Sequence, residues 1–213
     1  MPEVLPTLEL GCGMRPTPNA LHHDRISHSA HVDVAHDLDV LPWPWPDELF
    51  QTILAFDVLE HLHLEVAEWL NEAWRILQNG GELELRLPAF DNPVSYRDPT
   101  HRRVFHDETF YYWQPGHPLH QDYGRVYYAE AQRWWQVVSV SRANPDVRYG
   151  IGDLFVVLRK LSDQGPTTRP LVTLTDRSER VPTSYAVGDV FEFNQSTVHG
   201  VNSAPIVSIV ASE

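Results

Sequence analysis

The chain has 213 residues, 42% of them hydrophobic, enough for one full core with a small appendage. Lys and Arg number 16 against 29 Asp and Glu, a formal net charge of -13, so a duplex nucleic acid would have to be bound against the protein's own field and no such partner is expected. No run approaches the ~20 apolar residues of a membrane span. The start, MPEVLPTLEL, lacks the basic and then apolar order of a signal peptide, and the single cysteine, Cys12, cannot form an internal disulfide. A cytoplasmic protein with no membrane partner is therefore expected.

In chain order, Thr7 to Leu10 reads as a short buried strand and Ala20 to Asp24 as a second, with a proline-containing turn between them. The stretch AHVDVAHDLDVLPWPWPD, Ala30 to Asp47, begins with alternating small apolar residues and ends in a proline and tryptophan loop that cannot be helical. Thr52 to Phe56 is a compact apolar run suited to a parallel sheet covered on both faces. Leu62, Val66, Leu70, Ala73 and Leu77 recur at spacings of three or four, predicting an amphipathic helix over Glu65 to Leu77. QNGG follows and is expected to stop it, because Asn and Gly tolerate the left-handed conformation at a helix end. Glu82 to Pro88 alternates, which predicts a strand with one less buried face.

Asn92 to Gly124, rich in proline, aromatic residues and histidine, is expected to be a long loop with a short helix near Glu108 to Trp113. Trp135 to Val140 and Leu154 to Leu158 are expected to pair as antiparallel strands at the sheet edge. The order of elements is that of an α/β layered domain with a mostly parallel sheet. This domain is expected over 1–161, with a β-rich extension over 162–213 that begins in the linker-like SDQGPTTRP.

Glycines at 11 and 13 directly after a strand let backbone come close to a ligand where a Cβ would clash. In a doubly wound layout that turn lies at the carboxyl edge of the sheet, where ligands bind. The dinucleotide fingerprint needs a third glycine where Pro16 stands and an acid about twenty residues on, whereas Asp24 arrives much sooner. A smaller nucleoside ligand fits better than a dinucleotide.

The segments LELGCG, VDVAHDLDVLPWPWPDELFQTILAFDVLEHL, WRILQNGGELELRLP and DPTHRRVF together resemble a class I S-adenosylmethionine-dependent methyltransferase of the methyltransferase type 11-like branch. The resemblance runs over about residues 4 to 160 and implies a Rossmann-like sheet flanked by helices, with S-adenosyl-L-methionine as cofactor. It assigns Glu9, Gly11, Cys12 and Gly13 to the loop beneath the methionine part of the cofactor, and Asp24 to the ribose hydroxyls. Asp37 and Leu38 are assigned to the adenine edge, and Ala55, Phe56 and Asp57 to the pocket wall after the fourth strand. Family members usually carry a small residue where Arg15 stands, a helix after it that the prolines here forbid or shorten, and an aspartate where Gln51 stands.

A methyl sulfonium is already activated, so transfer depends on alignment and exclusion of water, and a base is needed only for an acceptor that carries a proton at neutral pH. His101, Asp98 and Tyr96, on the loop expected to cover the pocket, are the candidate catalytic or substrate-binding residues. His61 is read as a packing residue at the start of the helix, and Glu60 as a partner for backbone groups there. His22, His23, His28, His31 and His36 do not repeat as ligands on one helix face, and no metal is expected. Trp43 and Trp45 are read as packing anchors of their loop, with walling of the adenine pocket as the alternative.

GDVFEFNQSTVHGVNS, Gly188 to Ser203, resembles the second histidine motif of a cupin-like or 2-oxoglutarate oxygenase barrel, with His199 at the ligand position, yet the stretch is too short for a whole barrel. It is read as a partial β module that either covers the sheet or pairs with a second chain in a homo-oligomer. The expected function is methyl transfer to a small-molecule acceptor. An inert cofactor-binding or scaffold module, and an oxygenase-related protein acting through the tail, are the alternatives.

Overall fold

The computed structural model of the chain describes residues 7–128, 133–143 and 152–162. Within them lie β1 (Thr7–Leu10), β2 (Leu21–Asp24), β3 (Val34–Ala35), β4 (Phe50–Phe56), α1 (Val66–Ile76), β5 (Leu77–Leu87), α2 (Val94–Arg97), α3 (Arg125–Tyr127), β6 (Trp135–Ala143) and β7 (Asp153–Lys160). They build a seven-stranded sheet in the order β3-β2-β1-β4-β5-β7-β6. The first five strands run parallel; β7 is antiparallel to β5, and β6 antiparallel to β7. This is the mostly parallel α/β architecture expected from the order of apolar runs. The proposed linker, the tail and His199 lie outside the described residues.

Strand order reverses between β1 and β4, so their carboxyl ends form a switch point, where a crevice opens in folds of this kind. The core fills the sheet on both sides of that line. Leu8, Leu10, Ile53, Ala55, Leu83 and Leu85 from the strands are buried together with Trp69, Leu70 and Ala73 from α1. The apolar stripe of α1 explains its position: Trp69, Leu70, Ala73, Trp74 and Ile76 are buried, while Glu72 and Arg75 between them hydrogen-bond to the Trp43–Asp47 loop. Trp43 and Trp45 pack edge-on against Trp69 and Phe50, with ring centroids 5.7 and 5.9 Å apart, as the packing reading of that loop expects.

Between β1 and β2 there is no helix. Residues 11–20 form turns only, in keeping with Pro16 and Pro18. The QNGG stretch corrects its reading. Leu77 leaves α1 directly into extended backbone (φ -78, ψ 144), and pairing with β4 shifts register before resuming at Glu82. Gln78 to Gly81 are thus an irregularity inside β5, where Gly80 takes φ +77 and a Cβ on Gly81 would sit 2.8 Å from the Gln51 carbonyl oxygen. Between 92 and 124 the short helix is a 3₁₀ turn over Thr109–Trp113. Two further helical turns, Val94–Arg97 and His120–Gly124, were not anticipated.

At the far end of β7, the fully buried Lys160 donates to the Leu77 carbonyl at 2.7 Å and lies 3.7 Å from the Trp74 ring centre. It ties the antiparallel edge to the junction of α1 and β5.

Candidate functional site

A cleft of about 490 Å³ opens along the carboxyl edge of the parallel strands. Gly11 after β1, His23 to Arg25 at the end of β2, His36 to Asp39 after β3 and Asp57 to Val58 after β4 line it. Residues 61–63 and, from the following loop, Thr100 and Arg102 complete the wall.

The glycine turn approaches β4 closely. Gly11 has φ +63, and a Cβ there would lie 2.6 Å from Val58 Cγ2. Three contacts hold this turn. Glu9, 4% exposed, accepts from the Thr17 backbone N–H at 2.7 Å and from the Thr17 hydroxyl at 2.6 Å. His23, 1% exposed, accepts from the Gly11 N–H at Nδ1, which leaves Nε2–H to donate to the His36 carbonyl at 2.8 Å. Burial pulls the His23 imidazolium below its ordinary 6.5, consistent with this neutral tautomer. The third contact is Asp24, whose Oδ2 accepts from the Gly13 N–H at 2.9 Å and sits 3.3 Å from His28 Nε2. Burial raises the Asp24 carboxyl, but the Gly13, His28 and Arg25 donors outweigh it and leave it below the usual carboxylate range.

Asp37 pairs with Arg25 at 3.3 Å, and Asp39 Oδ1 accepts from the backbone N–H groups of both His63 and Leu64 at 2.8 Å. Asp57 pairs with Arg86 and holds φ +58, a left-handed conformation that is uncommon outside glycine and often found at functional edges.

Of the ten expected cofactor residues, Gly11, Asp24, Asp37, Leu38 and Asp57 line the cleft. Glu9, Cys12, Gly13, Ala55 and Phe56 stand behind it: Glu9 and Gly13 as partners in holding the turn, and Ala55 in the core at 0% exposure. Cys12 is buried, and burial, followed by the Asp24 charge, pushes its thiol up to about 11, so it is not a thiolate at neutral pH. Arg15 and Gln51 are exposed and do not line the cleft.

Among the expected catalytic residues, Tyr96 is 68% exposed and Asp98 is fully exposed. Asp98 accepts from the Thr100 hydroxyl at 2.6 Å and its N–H at 2.9 Å, which holds it low. His101 is half-buried, with its ring 4.7 Å from that of His61. Beside it, Glu60 is 1% exposed, and neither of its carboxylate oxygens has a hydrogen-bond partner. Its own backbone N–H, at the start of that turn, is the one backbone group that acts on its carboxyl. Burial, with the charge of Asp57, pushes the Glu60 carboxyl up to about 8.

Sequence reasoning missed His23, His36, Asp39, Val58, His63, Thr100 and Arg102 as cleft residues and read His61 as packing. The available signal was positional: His23 lies at the end of a parallel strand, His36, Asp39, Val58 and His63 follow one, and Thr100 and Arg102 lie on the loop after α2.

A mostly parallel sheet with its crevice at the β1/β4 switch, a glycine turn and a carboxylate ending β2 is the Rossmann-like arrangement also found in S-adenosylmethionine-dependent methyltransferases. Residues 12–85 match the family described as methyltransferase domain, type 11. A solved structure with the same fold is phosphoethanolamine N-methyltransferase 1 of Haemonchus contortus, in complex with phosphoethanolamine and S-adenosylhomocysteine; identity is 14%, the TM-score 0.50, and the match covers 76% of this chain and 40% of that one. A possible histamine N-methyltransferase of Thermotoga maritima is 17% identical over 76% of this chain and 84% of that one, with TM-score 0.49. The 1,6-didemethyltoxoflavin-N1-methyltransferase of Burkholderia thailandensis is 15% identical over 73% and 71%, with TM-score 0.48. No curated protein sequence matches the chain.

The cleft fits the cofactor of this class, S-adenosylmethionine. Its volume is within the range of small-ligand sites, a side chain at Gly11 would intrude on it, and Leu38 and Val58 offer apolar surface beside the acids. Among the described residues, no helix is long and apolar enough to cross a membrane.

Proposed function

We propose that the chain transfers a methyl group to a small-molecule acceptor bound in this cleft. Supporting the reading above all is the meeting of Gly11, Asp24 and Val58 at the switch point, where bare backbone, a carboxylate and an apolar wall converge. S-adenosylmethionine supplies the methyl group on an activated sulfonium. Asp24 accepts hydrogen bonds from the ribose hydroxyls, for which its low-lying carboxylate is suited. Leu38 and Asp37 meet the adenine, and Gly11 admits the methionine portion against backbone.

On the Thr100 to Arg102 side, His101 can receive a proton from a hydroxyl acceptor only while its Nε2 is not engaged by a cation; an amine acceptor that is already neutral needs no base. The acids lining the cleft, Asp24, Asp37, Asp39 and Asp57, together with the net charge of -13, disfavour a polyanionic acceptor and favour a small neutral or cationic one.

Calorimetry with S-adenosylhomocysteine tests the reading. The wild-type chain binds one equivalent, and Asp24→Ala weakens binding about tenfold or more, in line with the loss of a charge-assisted hydrogen bond. Binding unaffected by Asp24→Ala, or no binding by the folded chain, counts against it. A screen of labelled methyl donor against pools of metabolites then identifies the acceptor.

A further inference from the structure

Three groups suited to metal ligation converge beside the cleft from two separate stretches of chain. Glu60 and His61 lie in the turn that follows β4, and His101 in the loop after α2. One ligand atom from each lies within 4.8 Å of the others. The hydrogen-bond network fixes which atoms are available. The Thr100 hydroxyl has one proton and gives it to Asp98, so it accepts from His61 Nδ1–H at 2.9 Å. His101 Nδ1–H in turn donates to the Ser95 carbonyl at 3.1 Å. Both imidazoles therefore keep a lone pair at Nε2, each oriented through its other nitrogen in the manner of a metal-ligating histidine.

Glu60 supplies the independent sign. A carboxyl group that is 1% exposed, with no hydrogen-bond partner on either oxygen, is costly to leave buried.

We propose that Glu60, His61 and His101 bind one divalent first-row transition cation. Two imidazoles and a carboxylate suit Zn²⁺, Fe²⁺ or Co²⁺ better than Mg²⁺ or Ca²⁺, which prefer all-oxygen sites. Ligand atoms on one such ion stand roughly 3 to 3.5 Å apart, given bonds of about 2.0 to 2.2 Å. The groups close by roughly 1.3 to 1.8 Å on binding, a movement that breaks no side-chain hydrogen bond of Glu60 to another residue. Three protein ligands leave positions open, and His61 itself lines the cleft, so an oxygen of the acceptor can complete the shell. That last point rests on the methyl-transfer reading; the cation site does not.

The test is titration of the chelator-treated 213-residue chain with Zn²⁺ and with Co²⁺ alone, by calorimetry and by Co²⁺ visible absorption. One equivalent binds, with affinity falling at least about tenfold in each of Glu60→Gln, His61→Ala and His101→Ala. His31→Ala, which alters the separate cluster of His22, His28 and His31 rings, leaves it unchanged. Absence of saturable binding, affinity unaltered in both His61→Ala and His101→Ala, or loss of binding in His31→Ala overturns the proposal. Should His101→Ala fail to fold, His101→Gln serves, with circular dichroism confirming the fold. S-adenosylhomocysteine binding, measured on the same chelated protein, separates the two readings. Should S-adenosylhomocysteine bind but neither cation, the metal site alone is refuted; should a cation bind but not S-adenosylhomocysteine, methyl transfer alone is refuted.

Discussion

At Gly11 and Gly13 the same residue type in the same turn does two different jobs. Both have positive φ, +63 and +55, but a Cβ at Gly11 meets Val58 at 2.6 Å, whereas at Gly13 nothing lies within 4 Å. Gly13→Ala therefore costs only the left-handed backbone penalty, about 1 to 2 kcal/mol. Gly11→Ala adds the collision and costs roughly 2 kcal/mol or more, with weaker binding of S-adenosylhomocysteine. Urea unfolding of the two variants checks the ranking. Val58→Ala in the Gly11→Ala background restores part of the loss, a favourable coupling in a double-mutant cycle. Equal costs at the two glycines would contradict this account of the turn.

Among the elements, the connection after β3 is held by one carboxylate. Asp39 reaches across to the backbone N–H groups of His63 and Leu64, just ahead of α1, and so joins two walls of the cleft. Asp39→Ala leaves both donors to water, at a cost of about 1 kcal/mol in global stability. Hydrogen exchange of the His63 and Leu64 amides accelerates in this variant, and S-adenosylhomocysteine affinity falls; unchanged exchange at both amides would refute the clamp.

The strands themselves were readable from residue order. Leu8, Leu10 and Ile53 to Ala55 sit in apolar runs because both faces of a parallel sheet are covered, and Leu83, Leu85 and Leu87 alternate because one face of β5 is less buried. QNGG misled because glycine serves a helix end and a strand irregularity by the same backbone freedom. Glu9 was placed under the cofactor, yet its partner, Thr17, lies in a turn with no periodicity to reveal it. Glu60 and His101 are 41 residues apart in the chain, and only the return of the loop after β5 brings them together.

Across the molecule, two buried groups tilt stability with pH in opposite senses. His23 has its folded value below 6.5, so its contribution is complete above that pH and is lost as pH falls below it. Glu60 has its folded value raised from 4.5 to about 8, so its contribution is complete below pH 4.5 and is lost progressively as pH rises towards 8. In chelator-treated protein, Glu60→Gln removes the second loss. Its urea midpoint matches wild type near pH 4 and exceeds it at pH 8, by an amount on the order of 3 kcal/mol in stability. A wild-type midpoint that does not decline relative to Glu60→Gln between those two conditions would refute the assignment.

Asp24 already has an occupant. Its Oδ2 is taken up by the Gly13 N–H before any nucleoside arrives. Under the proposed reading, an incoming diol must share or displace that intramolecular stand-in, so occupancy of the proposed sugar subsite and the shape of the first turn change together. Under the same reading, the backbone amide returns to the carboxylate as the sugar leaves, which eases its departure.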